Sequence, residues 1–254
     1  RDTSDKAVDP QKLNDADLKL IVLNGLMASD SEKDLPVLEK VLSGSSSTRV
    51  KERAIFVLSQ SNSQQAMDIL GRVARDNARP DLQAYALRYL GIMGGDGSRK
   101  VLADGYGGSR DVKIKKSILK SYMIAGDRAR LLALAKGEPD AELRGEAIRQ
   151  LGIIGARSEL ADLYNSETSL ENKKNIIQAM FIGGSADRLG EIARSERNPE
   201  LRAAAIRNLG LVGGPRTGDL LVSIYESETN REVKASVVKS LFLQSNGKAL
   251  IALA

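Results

Sequence analysis

Residues Glu200-Leu201-Arg202-Ala203-Ala204-Ala205-Ile206-Arg207-Asn208-Leu209-Gly210-Leu211-Val212-Gly213-Gly214 set the pattern that the rest of the chain copies. Leu201, Ala205, Leu209 and Val212 recur three or four residues apart, which is the spacing of one helix face. Gly213-Gly214 supplies the stop, because glycine accepts the left-handed conformation that ends many helices. The stretch predicts an amphipathic helix whose opposite face carries Ala204, Arg207, Asn208 and Leu211.

The pattern occurs eight times. The apolar residue equivalent to Ile206 is Leu23, Ile55, Leu87, Leu119, Ile148, Ile177, Ile206 and Val238, at steps of 32, 32, 32, 29, 29, 29 and 32 residues. Three residues later stand Leu26, Leu58, Leu90, Tyr122, Leu151, Met180, Leu209 and Leu241. One residue earlier stand Val22, Ala54, Ala86, Ile118, Ala147, Ile176, Ala205 and Val237. A fixed internal pattern at a period near 30 marks a repeat array. Between these template helices the sequence predicts companion helices at about 31–42, 64–75, 98–105, 128–136, 157–165, 186–194 and 216–226. Asp127, Ser158, Ser185 and Thr217 are the expected N-caps for four of them. Asn198-Pro199-Glu200, Glu138-Pro139-Asp140 and Arg79-Pro80-Asp81 carry the start signals of template helices.

Composition agrees. At 254 residues one compact core approaches its upper size limit, whereas stacked repeats bury their faces only against neighbours. Aromatics are 4% with no Trp, so the core is aliphatic and alanine-rich. With no Cys and no His, disulfides, thiolate nucleophiles and Cys/His zinc sites are excluded. The absence of Cys suits either side of a bacterial membrane, and the compartment stays open. No apolar run reaches the ~20 residues that span a bilayer. Residues 1–12 read as a polar lead-in and 13–254 as a single repeat array. Unpaired half-repeats at both ends, and a start at Arg1, suggest a piece cut at one end at least from a longer protein, which leaves open whether a targeting segment was removed with the rest.

The helix pair, with a second helix reading acid-Leu-Arg-x-Ala-Ala-Ile-x-x-Leu-Gly, resembles the HEAT repeat, in the short variety also found in phycobilin lyases. The resemblance covers roughly residues 13–254. It implies a right-handed α-solenoid of seven to eight pairs, with template helices on the concave face. It also implies a hydrogen-bond ladder between repeats. The acids would be Asp17, Asp81, Glu142, Glu171, Glu200 and Glu232. The basic residues would be Lys19, Lys51, Lys115, Arg144, Lys173, Arg202 and Lys234, with Gln83 the exception. These basic residues lie inside the apolar stripe, so their role is structural: stem buried, head on a neighbouring turn. Enzymes of this architecture use His-Glu iron ligands or a Trp-bearing cleft, and this chain has neither His nor Trp. The lyase-type members act with a second subunit on bilins, and nothing in the chain marks a bilin site.

No other motif carries chemistry. Gly94-Gly95-Asp96-Gly97-Ser98-Arg99-Lys100 lacks the Gly-Lys-Ser/Thr ending of a phosphate loop and reads as a turn. Glu146 reads as a solvated surface acid, and no serine has a base beside it. No cofactor is expected. The Arg207 position is Asn24, Phe56, Arg88, Lys120, Arg149, Gln178, Arg207 and Lys239, five of eight being basic. With Tyr85 and Tyr89 beside Phe56, the candidate partner-binding set is Phe56, Tyr85, Arg88, Tyr89, Lys120, Arg149, Arg207 and Lys239. The competing reading of the row is a solvated surface. Lys113, Lys115 and Lys116 add local positive charge near Lys120. The aliphatic row at Ile92, Ile124, Ile153, Ile182, Leu211 and Leu243 is expected to pack beneath the inter-helix turns. The favoured function is a non-enzymatic scaffold for a protein or peptide with acidic groups. The alternatives are an accessory subunit of a lyase-type enzyme and nucleic-acid binding along the basic row, for which a net charge of +5 is small.

Overall fold

The computed structural model describes residues 14–29, 32–61 and 63–253; the expected lead-in at 1–12 lies outside them. Among the described residues every regular element is helical. The template helices are α1 (Asp15–Ser29), α3 (Thr48–Ser59), α5 (Pro80–Met93), α7 (Val112–Ile124), α9 (Ala141–Ile153), α11 (Leu170–Ile182), α13 (Pro199–Val212) and α15 (Arg231–Leu243). The companions are α2 (Leu35–Ser43), α4 (Gln64–Ala74), α6 (Gly95–Gly108), α8 (Arg128–Gly137), α10 (Arg157–Ser166), α12 (Ala186–Ser195), α14 (Pro215–Ser227) and α16 (Gly247–Ala252). A short 3-10 turn, Glu32–Asp34, precedes α2. This is an all-α repeat solenoid. The chain divides between Ala125 and Gly126 into two compact units.

Within each unit, successive template helices pack on one another and each companion packs on its template helix. The register residues from Leu23 to Ile206 are buried, as are those three later from Leu58 to Leu241 and those one earlier from Ala54 to Val237. Val22 and Val238, on the first and last template helices, are 58% and 38% exposed. Two parts of the helical-wheel reading are corrected. Val212 is 42% exposed at the helix end, while Ala204 and Asn208 are buried. The Asn208 amide nitrogen donates to the Ala204 carbonyl at 2.9 Å, while its Oδ1 is buried with no hydrogen-bond partner among the described residues.

The glycine of the Leu-Gly motif explains the closeness of some neighbours. A Cβ at Gly91 would sit 2.7 Å from the Ser121 carbonyl oxygen. One at Gly152 would sit 2.6 Å from that of Ala179, and one at Gly210 would sit 2.7 Å from Ser240 Cβ. At two of these contacts a serine hydroxyl crosses between helices: Ser121 Oγ donates to the Leu87 carbonyl at 2.8 Å and Ser240 Oγ to that of Ile206 at 3.1 Å. Seven residues after the register position the backbone turns left-handed every time it is described: Gly94, Gly126, Gly155, Gly184, Gly213 and Ser245 all have positive φ.

Caps follow the chemistry only in part. Asp127, Asp140, Asn198 and Asn230 accept the expected backbone N–H bonds. Ser158 and Thr217 are not caps. Their helices start earlier, at Arg157 and Pro215. Ser185 holds the cap position without a side-chain bond to the helix. The phosphate-loop-like stretch is a glycine turn running into α6, with Ser98 fully buried.

The ladder is present, and its acid is not the one the resemblance implied. Arg202 places Nη1 on the Glu196 and Arg197 carbonyls at 2.9 and 3.0 Å, and forks onto Glu228 of the next repeat at 2.8 and 3.1 Å. Arg144 likewise reaches the Glu138 carbonyl at 2.6 Å. The acids on the ladder are the residues that end the companion helices: Glu138, Glu167, Glu196 and Glu228. Each takes the backbone N–H two residues on, and so also orders the turn. Of the implied acids, Glu200 does bond between repeats, accepting from Lys174 Nζ at 2.8 Å. In three of the repeats whose basic residue is Lys, a tyrosine nine positions earlier sits under it. Lys115 lies over Tyr106 at 4.8 Å, Lys173 over Tyr164 at 4.8 Å and Lys234 over Tyr225 at 4.6 Å. Where it is Arg, that earlier position is alanine, Ala135 or Ala193, leaving room for the wider fork.

Candidate partner-binding face

In the N-terminal unit, α1, α3 and α5 lie side by side and present one mixed aromatic and cationic patch. The rings of Phe56 and Tyr89 meet edge to face at 5.6 Å, and those of Tyr85 and Tyr89 are tilted at 5.6 Å. All three are half-buried, their outer edges in solvent. The Arg53 guanidinium stacks 4.5 Å from the Phe56 centroid. Burial, then the neighbouring Tyr85, pushes the Tyr89 hydroxyl above its ordinary pKa, so it stays a neutral donor. Leu20, Asn24, Arg49, Glu52, Arg53 and Tyr85 line an open depression of about 400 Å³ beside the rings. Arg88 on α5 and Lys120 on α7 are exposed next to this patch, with no hydrogen bond or ion pair to protein among the described residues.

In the C-terminal unit, Arg149, Arg207 and Lys239 stand at the same register on α9, α13 and α15, all exposed. Arg207 and Lys239 have no protein partner among the described residues. Arg149 does: its Nη1 is 3.5 Å from Glu146 Oε2. Glu146 is not the solvated acid expected, since its side chain is only 11% exposed and it also accepts from the Gln150 amide at 2.5 Å. The expected residues thus gather as Phe56, Tyr85, Arg88, Tyr89 and Lys120 in one unit and Arg149, Arg207 and Lys239 in the other.

Two features were missed. Arg53 completes the aromatic patch; it stands at the register position of Tyr85, one repeat earlier, which could have drawn attention to it. The aliphatic row does not pack beneath the turns. Ile92, Ile124, Ile153, Ile182, Leu211 and Leu243 are 53%, 40%, 43%, 39%, 58% and 62% exposed. The glycine turns after the template helices are too short to lie over them.

Residues 15–122 match the family model for HEAT repeats. Residues 15–122 are HEAT repeats. Beyond residue 122 the same apolar register continues at steps of 29 and 32 through the C-terminal unit. The array is similar to a chain in the complex of CpcE and CpcF of phycocyanin lyase from Nostoc sp. PCC7120. That likeness has 16% identity over 87% of this chain and 94% of that one, with a TM-score of 0.39. It is also similar to a computationally designed self-assembling cyclic homooligomer, at 13% identity over 93% of this chain and 85% of that one, with a TM-score of 0.17. No curated protein matches the sequence. Among the described residues no helix is long and apolar enough to cross a membrane.

Proposed function

We propose that this HEAT array is a non-enzymatic scaffold that holds an acidic segment of a partner protein against its template helices. The observation that supports this reading is the aromatic patch of Phe56, Tyr85 and Tyr89, flanked by Arg53 and by the exposed Arg88. Three rings on two neighbouring helices leave their edges in water, where half-buried tyrosines and arginines serve as anchors for protein contacts. Arg88 and Lys120 in the N-terminal unit, and Arg149, Arg207 and Lys239 in the C-terminal unit, supply positive charge at one register. Such charge steers an acidic partner and fixes its position more than it adds affinity.

The test is capture on an array of acidic peptides by the wild-type chain and by the triple variant Arg88→Glu, Lys120→Glu, Arg149→Glu. The expected result is loss of capture by the variant, with the helical circular-dichroism signal unchanged. Equal capture by both proteins overturns the reading.

A further inference from the structure

The exposed aliphatic row of the C-terminal unit has no structural role in the repeat. Ile153, Ile182, Leu211 and Leu243 lie in the last turn of four consecutive template helices that pack in series. Scattered surface leucines are ordinary. One aliphatic residue at the same register on each of four neighbours is a contiguous stripe, and stripes of this kind mark contact sites. One helical turn earlier on three of these helices stand Arg149, Arg207 and Lys239, so the stripe runs beside a parallel row of positive charge.

The spacing constrains what can lie there. Neighbouring helix axes stand about 8–10 Å apart, and the glycine contacts at Gly152 and Gly210 hold two of these steps tight. Seven residues of α-helix advance about 10.5 Å and bring the side chain back to nearly the same face. An extended strand that advances a similar distance in three residues has turned its side chain to the opposite face. The two rows lie about 6 Å apart, one helical turn, which a helix about 10 Å across covers together.

We infer that the C-terminal unit binds an acidic amphipathic helix, with aliphatic side chains every seventh residue on the Ile182–Leu211 stripe and carboxylates over Arg207 and Lys239. This rests on the scaffold reading above and adds the apolar anchor and the helical form of the occupant. The probe is a fluorescent peptide of about four heptads, with leucine every seventh residue and glutamate one turn after each. Binding to the wild-type chain is expected, weakened about tenfold or more in Ile182→Ser, Leu211→Ser, as removal of two apolar anchors requires. A peptide with serine for each leucine gives the same loss without altering the protein. If the serine peptide binds as well as the leucine peptide, the inference fails and the charge-based reading stands. Loss of binding in Arg207→Glu, Lys239→Glu while Ile182→Ser, Leu211→Ser binds normally likewise overturns the inference and leaves the charge-based reading in place. If neither double variant changes binding, both readings fail for this unit. No binding of the peptide, with sedimentation on phosphatidylserine-containing vesicles instead, overturns the inference in favour of a lipid surface.

Discussion

At the scale of single residues the array is policed by backbone geometry. Five glycines and one serine occupy the same left-handed position, and Ser245, at φ 53°, is the only non-glycine there among the described residues. A side chain in that region costs free energy that glycine avoids. Ser245→Gly should raise stability by about 0.5–1 kcal/mol, read from a urea melt; no change or a loss would show that the serine side chain offsets the strain. The recurring glycine was visible in the sequence as the helix stop. The burial of Asn208 and Glu146 was not, because it goes with local hydrogen bonds whose geometry a helical wheel does not give.

At the scale of the helix pair, the ladder is a charged device set in a largely covered place. Burial alone would raise the carboxyls of Glu167, Glu196 and Glu228. Hydrogen bonds outweigh it: Ser169 N–H and the Asn172 amide at Glu167, Tyr164 Oη and Asn198 N–H at Glu196, and the Arg202 fork and Asn230 N–H at Glu228. All three therefore stand below the ordinary carboxyl value of 4.5. A folded-state pKa lowered in this way stabilises the fold above the unfolded value, and the contribution is lost as pH falls through the folded values. The C-terminal unit should lose stability below about pH 4.5, and Glu228→Gln should flatten that acid limb while lowering stability at pH 7. Hydrogen exchange followed by mass spectrometry at both pH values reads the effect; an acid limb unchanged in Glu228→Gln would remove the ladder as its cause. The sequence made the basic half of the ladder legible, since a cation inside an apolar stripe has to be structural. It misplaced the acid, because the acids with helix-start spacing stand closer in sequence to the cation than the C-terminal glutamates that face it across the stack.

At Gln83 the N-terminal unit builds the same rung without charge. Gln83 donates to the Ala74 carbonyl at 2.9 Å and to Asn77 at 3.1 Å, and Ser109 stands where the other unit has glutamate. The space left by these smaller groups is an open hollow of about 590 Å³ lined by Ala74, Asn77, Gln83 and Ser109 among others.

At the scale of the whole molecule, fold class was legible because eight copies of one pattern average out the errors of each. The aliphatic row was not. Its exposure depends on what covers the C-terminal ends of the template helices, which is set by turn length and not by residue type. A linear array couples mainly between neighbours. Leu209, 1% exposed on α13, should cost about 2–5 kcal/mol when changed to Ala. The loss of hydrogen-exchange protection should centre on α11, α13 and α15. An equal loss across all described helices would contradict a nearest-neighbour array.

The close glycine contacts carry one more consequence. In the C-terminal unit Gly152 and Gly210 are each followed one repeat later by a small residue, Ala179 and Ser240. In the repeat between them the glycine position holds Phe181, answered by Asn208. A glycine that admits close approach alternates with a bulky side chain at this position, so the cassette that can be duplicated, deleted or transplanted intact is four helices long. An odd number of helix pairs moved at once would set a bulky side chain against a backbone that has no room for it.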